Sequence, residues 1–343
     1  MRTFVCDCGS RVFFDNTRCV ACRRELAFLP DRSRMATLEP DGEGIRVVGL
    51  DGAAYRHCQN RPDQAVCNWL VPAEDPASLC QSCRLTRVIP NLADETNHRL
   101  WADVEQAKRY LVYTLNQLGL PVEPKSASPR GLAFEFKQDL PHERVMTGHA
   151  GGVVTINIRE ADPVARELAR VSLMEGYRTL LGHLRHEVGH YYWDVLIKDT
   201  PAIEGFRALF GDDREDYAEA LQRHYGNGLG PTNWGSSHIS AYASVHAWED
   251  WAETWAHYLH MVDTLETAHA YGLAAPIVEP ASASGNSFDR LVTDWANVTV
   301  ALNELNRSLG MPDAYPFAIT TQVQQKLRFI ADVVHDAVGA SSR

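Results

Sequence analysis

The sequence predicts an α+β protein, with a small β-rich module at the N-terminus and then a mainly helical domain with a small sheet. Three observations carry this reading. All eight cysteines fall within the first 83 residues. Beyond them, apolar residues recur at helical spacing over long stretches between residues 94 and 338. Between those stretches, residues 132–137 and 153–158 alternate as half-buried strands do. We place the boundary near residue 92, giving domains 1–92 and 93–343.

A chain of 343 residues has room for two domains. Its 45% hydrophobic and 22% charged residues are those of a globular protein. No apolar run approaches the roughly 18 residues of a membrane-spanning helix. Residues 1–6 show no apolar core of a signal peptide. We therefore expect a cytoplasmic protein with no membrane partner. The net charge is −11, yet residues 1–90 hold twelve arginines against eleven acids. The acidity thus lies in the larger domain, which argues against a nucleic-acid-wrapping surface there.

The cysteines form two sets, Cys6, Cys8, Cys19, Cys22 and Cys58, Cys67, Cys80, Cys83. Disulfides are one reading of an even count. Without an export signal, Cys-x-x-Cys pairs are more readily metal clamps. Residues 1–28 read as a zinc ribbon, with a strand at 11–14 and a turn at 15–17 joining its knuckles. Its first pair is Cys-x-Cys, tighter than usual, and a redox-active Cys19–Cys22 pair is the competing reading. A strand at 44–50 and an Asp51-Gly52 turn lead to the second set. Trp69, Leu70 and Val71 in its loop read as core. Each set would hold one structural Zn²⁺, which supplies folding energy that so small a core lacks.

The larger domain reads as a helix over 97–118, a Pro-rich loop over 119–131, and the two strands, the second entered by a turn at 149–152. A helix follows from Val164, behind Asp162-Pro163. Helical spacing then runs from about Val171 to Leu196, interrupted by Gly176 and Gly182. Residues 206–225 give a turn at 210–213 and a helix, and 226–237 a loop. Further helices are expected at 247–268, 288–309 and 320–338, with a loop at 276–287.

The segment 171–196 contains His186-Glu187-Val188-Gly189-His190. On a helix, His186 and His190 share one face and can present two imidazoles to one Zn²⁺. Glu187 is offset by about 100° and can face a water that the metal acidifies, as a general base. A chance match is the competing reading, and the helical context opposes it. A catalytic zinc needs a third ligand from elsewhere. Glu249 and Glu253 lie four apart on the 247–268 helix. Glu249 fits as the ligand, as in gluzincin-type enzymes, and Glu253 as the carboxylate that orients a ligand imidazole. His246, Asp250 and His257 compete with Glu249. A solvated acidic face is the other reading, opposed by Trp248, Trp251 and Trp255. Tyr242 could donate to an oxyanion or could simply pack.

Residues 182–193 together with 248–259 resemble the bacterial family of putative zinc-binding metallopeptidases, whose members carry an N-terminal zinc-ribbon region. Residues 67–72 and 80–85 match as well, so the resemblance covers nearly the whole chain. It implies a zincin-like metallopeptidase domain behind a tandem zinc-ribbon domain, without naming a substrate. Glu249-Asp250-Trp251-Ala252-Glu253 is also locally similar to the Glu-x-Phe-Ala-Glu helix of lethal-factor-type toxin proteases. There the first Glu binds zinc and a preceding tyrosine assists catalysis, which adds weight to Glu249 and Tyr242. The resulting expectation is a zinc metalloendopeptidase acting on a protein or peptide, with one catalytic and two structural Zn²⁺. Its ribbons would recruit a protein partner or cover the cleft. The alternatives are a zinc-binding adaptor without turnover and a protease of DNA-bound proteins.

Overall fold

The computed structural model describes residues 2–41, 44–50, 54–61, 64–172, 175–226, 233–274 and 285–341. The chain packs as two units. The first is Met1–Tyr113, Val122–Thr147 and Thr155–Asp162, and the second is Thr114–Pro121, Gly148–Val154 and Pro163–Arg343.

In the first unit, β1 (Phe4–Val5) and β2 (Arg11–Val12) form an antiparallel pair. Strands β3 (Glu25–Leu29), β4 (Arg34–Asp41), β5 (Gly44–Val47), β6 (Tyr55–His57) and β7 (Leu70–Pro72) form an antiparallel sheet in that order. Alternation sends Ala27, Leu29, Ala36, Leu38 and Val47 to one buried cluster with Tyr55 and Leu70. Trp69, Leu70 and Val71 are buried as expected, but Leu70 and Val71 also belong to a strand that their short apolar run did not announce. β5 ends before residue 50 because Leu50 N–H turns back to Val47 O and Gly49 takes a φ of 74°. The Asp51-Gly52 turn lies outside the described residues. An aromatic cluster fills the space near β3: the Phe14 ring lies 4.8 Å from Phe28 and 5.3 Å from Tyr113, both edge-on.

Strand β8 (Thr86–Val88) pairs in parallel with β9 (Ala133–Lys137), across helix α1 (Glu95–Gln117). α1 starts earlier than its apolar stripe because the Asp94 carboxylate accepts from Thr96 N–H at 2.8 Å. β10 (Gly148–Ala150) and β11 (Val153–Asn157) make a hairpin. Gly151 and Gly152 both take positive φ, 53° and 82°, as a tight hairpin turn requires. His149 and Ala150, expected in that turn, belong to the strand before it.

The second unit contains α2 (Pro163–Ser172), α3 (Leu180–Leu196), α4 (Ala202–Phe210), α5 (Tyr217–Gly226), α6 (Ala247–Ala270), α7 (Gly285–Ser308) and α8 (Thr321–Ser341). The spacing from Val171 onward is not one helix. Thr179 is extended and its hydroxyl accepts from Gly182 N–H at 3.0 Å, so α3 begins at Leu180. Residues 227–232 and 275–284, which hold much of the two expected loops, lie outside the described residues. No described helix is long and apolar enough to cross a membrane.

α3 lies directly against α6. Gly189 sits in the α3 face that meets α6, and Trp251 Nε1–H donates to Gly189 O at 2.9 Å. The Tyr192 ring stacks on Trp255 at 4.9 Å, and Trp255 stacks on Trp251 at 5.7 Å. A Cβ on Gly189 would lie 3.0 Å from Ala252 Cα and 3.2 Å from Trp255 Cδ1. Gly189→Ala should therefore force the helices apart and destabilise the protein by about 1–3 kcal/mol. Urea unfolding checks this; an unchanged midpoint would contradict the close approach.

Candidate metal centres

Among the described residues, three groups of metal-ligand side chains converge, each with its ligand atoms within 4.8 Å of one another. They are Cys6, Cys8, Cys19, Cys22; Cys58, Cys67, Cys80, Cys83; and His186, His190, Glu249. These are the three sets expected from the sequence.

The sulfur spacing fits thiolates around a metal. Cys6 and Cys22 Sγ lie 3.6 Å apart, and Cys8 and Cys19 Sγ 3.7 Å. Cys67 and Cys80 Sγ are likewise 3.7 Å apart. Zn–S bonds of about 2.3 Å at tetrahedral angles give edges of about 3.8 Å, whereas a disulfide needs about 2.05 Å. None of the eight cysteines is in a disulfide. The tight Cys6-x-Cys8 knuckle is accommodated at Gly9, whose φ of 85° lets its N–H reach Cys6 O at 2.7 Å. In the second set, backbone N–H groups of Trp69, Cys80 and Cys83 point at the sulfurs of Cys67, Cys58 and Cys80.

The second set is fully buried, so its negative charge needs compensation. The buried guanidinium of Arg109 on α1 supplies it. Burial opposes its charge, but the Cys67 and Cys83 thiolates and the Glu105 carboxylate more than offset that cost and raise its pKa. Arg109 is fixed by donating to Val66 O at 2.6 Å. Neighbouring Lys108 and Glu105 pair at 2.9 Å, both fully buried.

The third centre is built from two helices. α3 carries His186 and His190 one turn apart, and α6 carries Glu249 and Glu253 one turn apart. Glu249 Oε2 lies 3.0 Å from His186 Nε2 and 3.5 Å from His190 Nε2. That oxygen is buried and makes no hydrogen bond of acceptable geometry among the described residues. A buried carboxylate oxygen shared between two imidazole nitrogens is suited to a cation at the point they share. The other Glu249 oxygen accepts from the Tyr217 hydroxyl at 2.7 Å. Glu253 Oε1 lies 2.7 Å from His186 Nδ1, and its Oε2 accepts from Ser240 Oγ at 2.6 Å. Glu253 thereby fixes the His186 ring and sets which nitrogen faces inward. His190 is held by the indole of Trp248, with ring centroids 3.8 Å apart.

Electrostatics follow from this packing. Burial alone would raise the Glu249 carboxyl, but His190 and His186 hold it well below the usual carboxylate range. Glu253 is held at about 2; burial would raise it, and its bond to His186 outweighs this. Burial disfavours a charged His186, yet Glu249 and Glu253 overcome it and raise the imidazole well above its ordinary value. Glu187 is raised by burial, with His186 and His190 partly offsetting it. Its Oε2 is buried without a hydrogen-bond partner among the described residues.

The competing third-ligand candidates are engaged elsewhere. His246 caps α6: its Nδ1 accepts from Trp248 N–H at 3.0 Å, and its Nε2–H donates to Glu215 O at 3.2 Å. Asp250 pairs with buried Lys326 at 2.5 Å. His257 Nδ1 lies 2.7 Å from the Tyr315 hydroxyl, and its ring packs on Phe317 at 4.4 Å. Tyr242 sits in a 3₁₀ turn over Tyr242–Ser244, its ring centroid 5.9 Å from that of His186. Tyr217 was not foreseen. It lies 32 residues before Glu249, on another helix, and no local pattern marks it.

A family model described as a putative zinc-binding metallo-peptidase matches residues 97–333, and one for a zinc-ribbon domain matches residues 3–94. The chain belongs to this metallo-peptidase family. Uncharacterized proteins from Mycobacterium bovis and Mycobacterium tuberculosis are each 42% identical to it over 346 residues, covering 98% of this chain and 96% of theirs. No solved structure matches it. The family and the two four-cysteine clusters agree on zinc binding.

The raised His186 makes a pH prediction. In the apoprotein this imidazole holds its proton to higher pH than an ordinary imidazole does, and a metal ion must displace it. Affinity at the third centre should therefore fall as pH falls, about tenfold per unit for each proton displaced. The dependence should extend to higher pH than an ordinary imidazole would give. Competition with a chelator across a pH series, with both cysteine sites loaded, checks it. A pH-independent affinity would contradict the assignment.

Proposed function

We propose that residues 93–343 form a gluzincin-type zinc metalloendopeptidase and that residues 1–92 are a tandem zinc ribbon. His186, His190 and Glu249 would hold one catalytic Zn²⁺. The two cysteine sets would hold two structural ions, since four thiolates leave no open position. Bound at three ligands, zinc supplies a Lewis acid that polarises a scissile carbonyl and acidifies a water.

The chain's own residues do the rest. Glu187 takes the proton of the attacking water and passes it to the leaving amine. Its burial, which raises its affinity for that proton, suits both halves of the transfer. Glu253 keeps His186 oriented through Nδ1. Tyr242 donates to the oxyanion as it develops. The ribbons would bring a protein substrate to the cleft. The acidic larger domain and the near-neutral N-terminal region favour a polypeptide over nucleic acid as partner, and we place the protein in the cytoplasm.

One observation carries this reading. Glu187 Oε2 is a buried carboxylate oxygen with no hydrogen-bond partner among the described residues, beside a convergent His/His/Glu set. An acceptor left open beside that set is what a general base needs. Glu187→Gln keeps shape but cannot accept the proton. It should bind zinc like the parent and lose peptide hydrolysis by at least about 10²-fold. Single-turnover cleavage of a peptide library at matched zinc content tests this. Equal rates would remove Glu187 from the mechanism. Retention of an uncleaved substrate by the variant would support the assignment.

A further inference from the structure

Tyr217 bears on the third centre from outside its ligand set. It stands at the first position of α5, and its hydroxyl donates to Glu249 Oε1 at 2.7 Å. The opposite oxygen, Oε2, faces His186 and His190 and makes no hydrogen bond of acceptable geometry among the described residues. The two oxygens of one carboxylate are thus distinguished: one is engaged by a phenol and the other turns its lone pairs inward.

Tyr217 is itself well located. Its ring meets Trp248 edge-on at 6.0 Å and His246 at 5.6 Å. His246 Nε2–H bonds Glu215 O, two residues before Tyr217, while its Nδ1 caps α6. One imidazole therefore ties the start of α5 to the first turn of α6, the turn that carries Glu249. Turning the carboxylate so that both oxygens face inward would break the Tyr217 bond and leave a phenol without its acceptor.

We propose that Tyr217 is a positioning residue that makes Glu249 a one-oxygen ligand. A carboxylate free to rotate can bind through both oxygens and fill the position a substrate or water needs. Holding Oε1 away reserves that position. Tyr217 acts through Glu249, and its oxygen also meets the hydroxyl of Tyr242. The inference rests on the metallopeptidase reading of the His/His/Glu centre.

The test uses Co²⁺ as the probe in the full chain, with both cysteine sites already loaded with zinc. Four-coordinate Co²⁺ absorbs visible light strongly, and higher coordination weakens the absorption. The parent should show a strong four-coordinate spectrum. Tyr217→Phe, which deletes only the hydroxyl, should weaken it and change Co²⁺ affinity by about 10–100-fold. A folded variant with the parent's spectrum and affinity would overturn the proposal. If the variant does not fold, the parent decides alone, because a weak five- or six-coordinate spectrum would overturn it too. Parent protein that takes up no Co²⁺ beyond the cysteine sites would instead remove the metallopeptidase reading.

Discussion

The contact of α3 with α6 at Gly189 sets the distance on which the third centre depends. The glycine lets Ala252 and Trp255 approach to about the limit of van der Waals contact. With a larger residue the helix axes would separate, and His186 and His190 would draw away from Glu249. The indole of Trp251 locks the register by bonding Gly189 O. The stacked rings of Tyr192, Trp255 and Trp251 bury apolar surface along the same contact.

The surroundings of the centre show how specificity for one ligand set arises. Polar side chains on the first turns of α6 are all engaged. His246 caps the helix, Glu249 turns inward, Asp250 pairs with Lys326 of α8, and Glu253 bonds His186. Burial pushes the Asp250 carboxyl up to about 7, with Lys326 only partly offsetting it, so its pairing is a condition of its burial rather than a spare ligand. The second cysteine set follows the same rule. Its thiolates are buried because Arg109 is buried with them.

Much of this was legible in the sequence where the signal is local. The four-residue spacing of His186 and His190, and of Glu249 and Glu253, is a helix-face signal that needs only a helix to realise it. The two cysteine sets were legible because knuckle spacing is short and thiolates are demanding ligands. What escaped depends on distant partners. Tyr217 reaches Glu249 across a loop, and Asp250 meets Lys326 from 76 residues away. β7 was hidden because a three-residue strand whose first two residues are both buried cannot show alternation. The break before α3 was hidden because one threonine hydroxyl, rather than a proline, ends the helical spacing. The role of α1 beside the second cysteine set was also out of reach, since Arg109 lies 26 residues past Cys83 and its charge is read only against the buried thiolates.

The central claim is that two thiolate sites and one His/His/Glu site coexist in one chain. Anomalous diffraction at the zinc edge from crystals of zinc-replete protein tests it most directly. The account predicts three peaks per chain: one among Cys6, Cys8, Cys19 and Cys22, one among Cys58, Cys67, Cys80 and Cys83, and one bounded by His186, His190 and Glu249. A third peak displaced to Asp250 or His257, or no peak between α3 and α6, would contradict it.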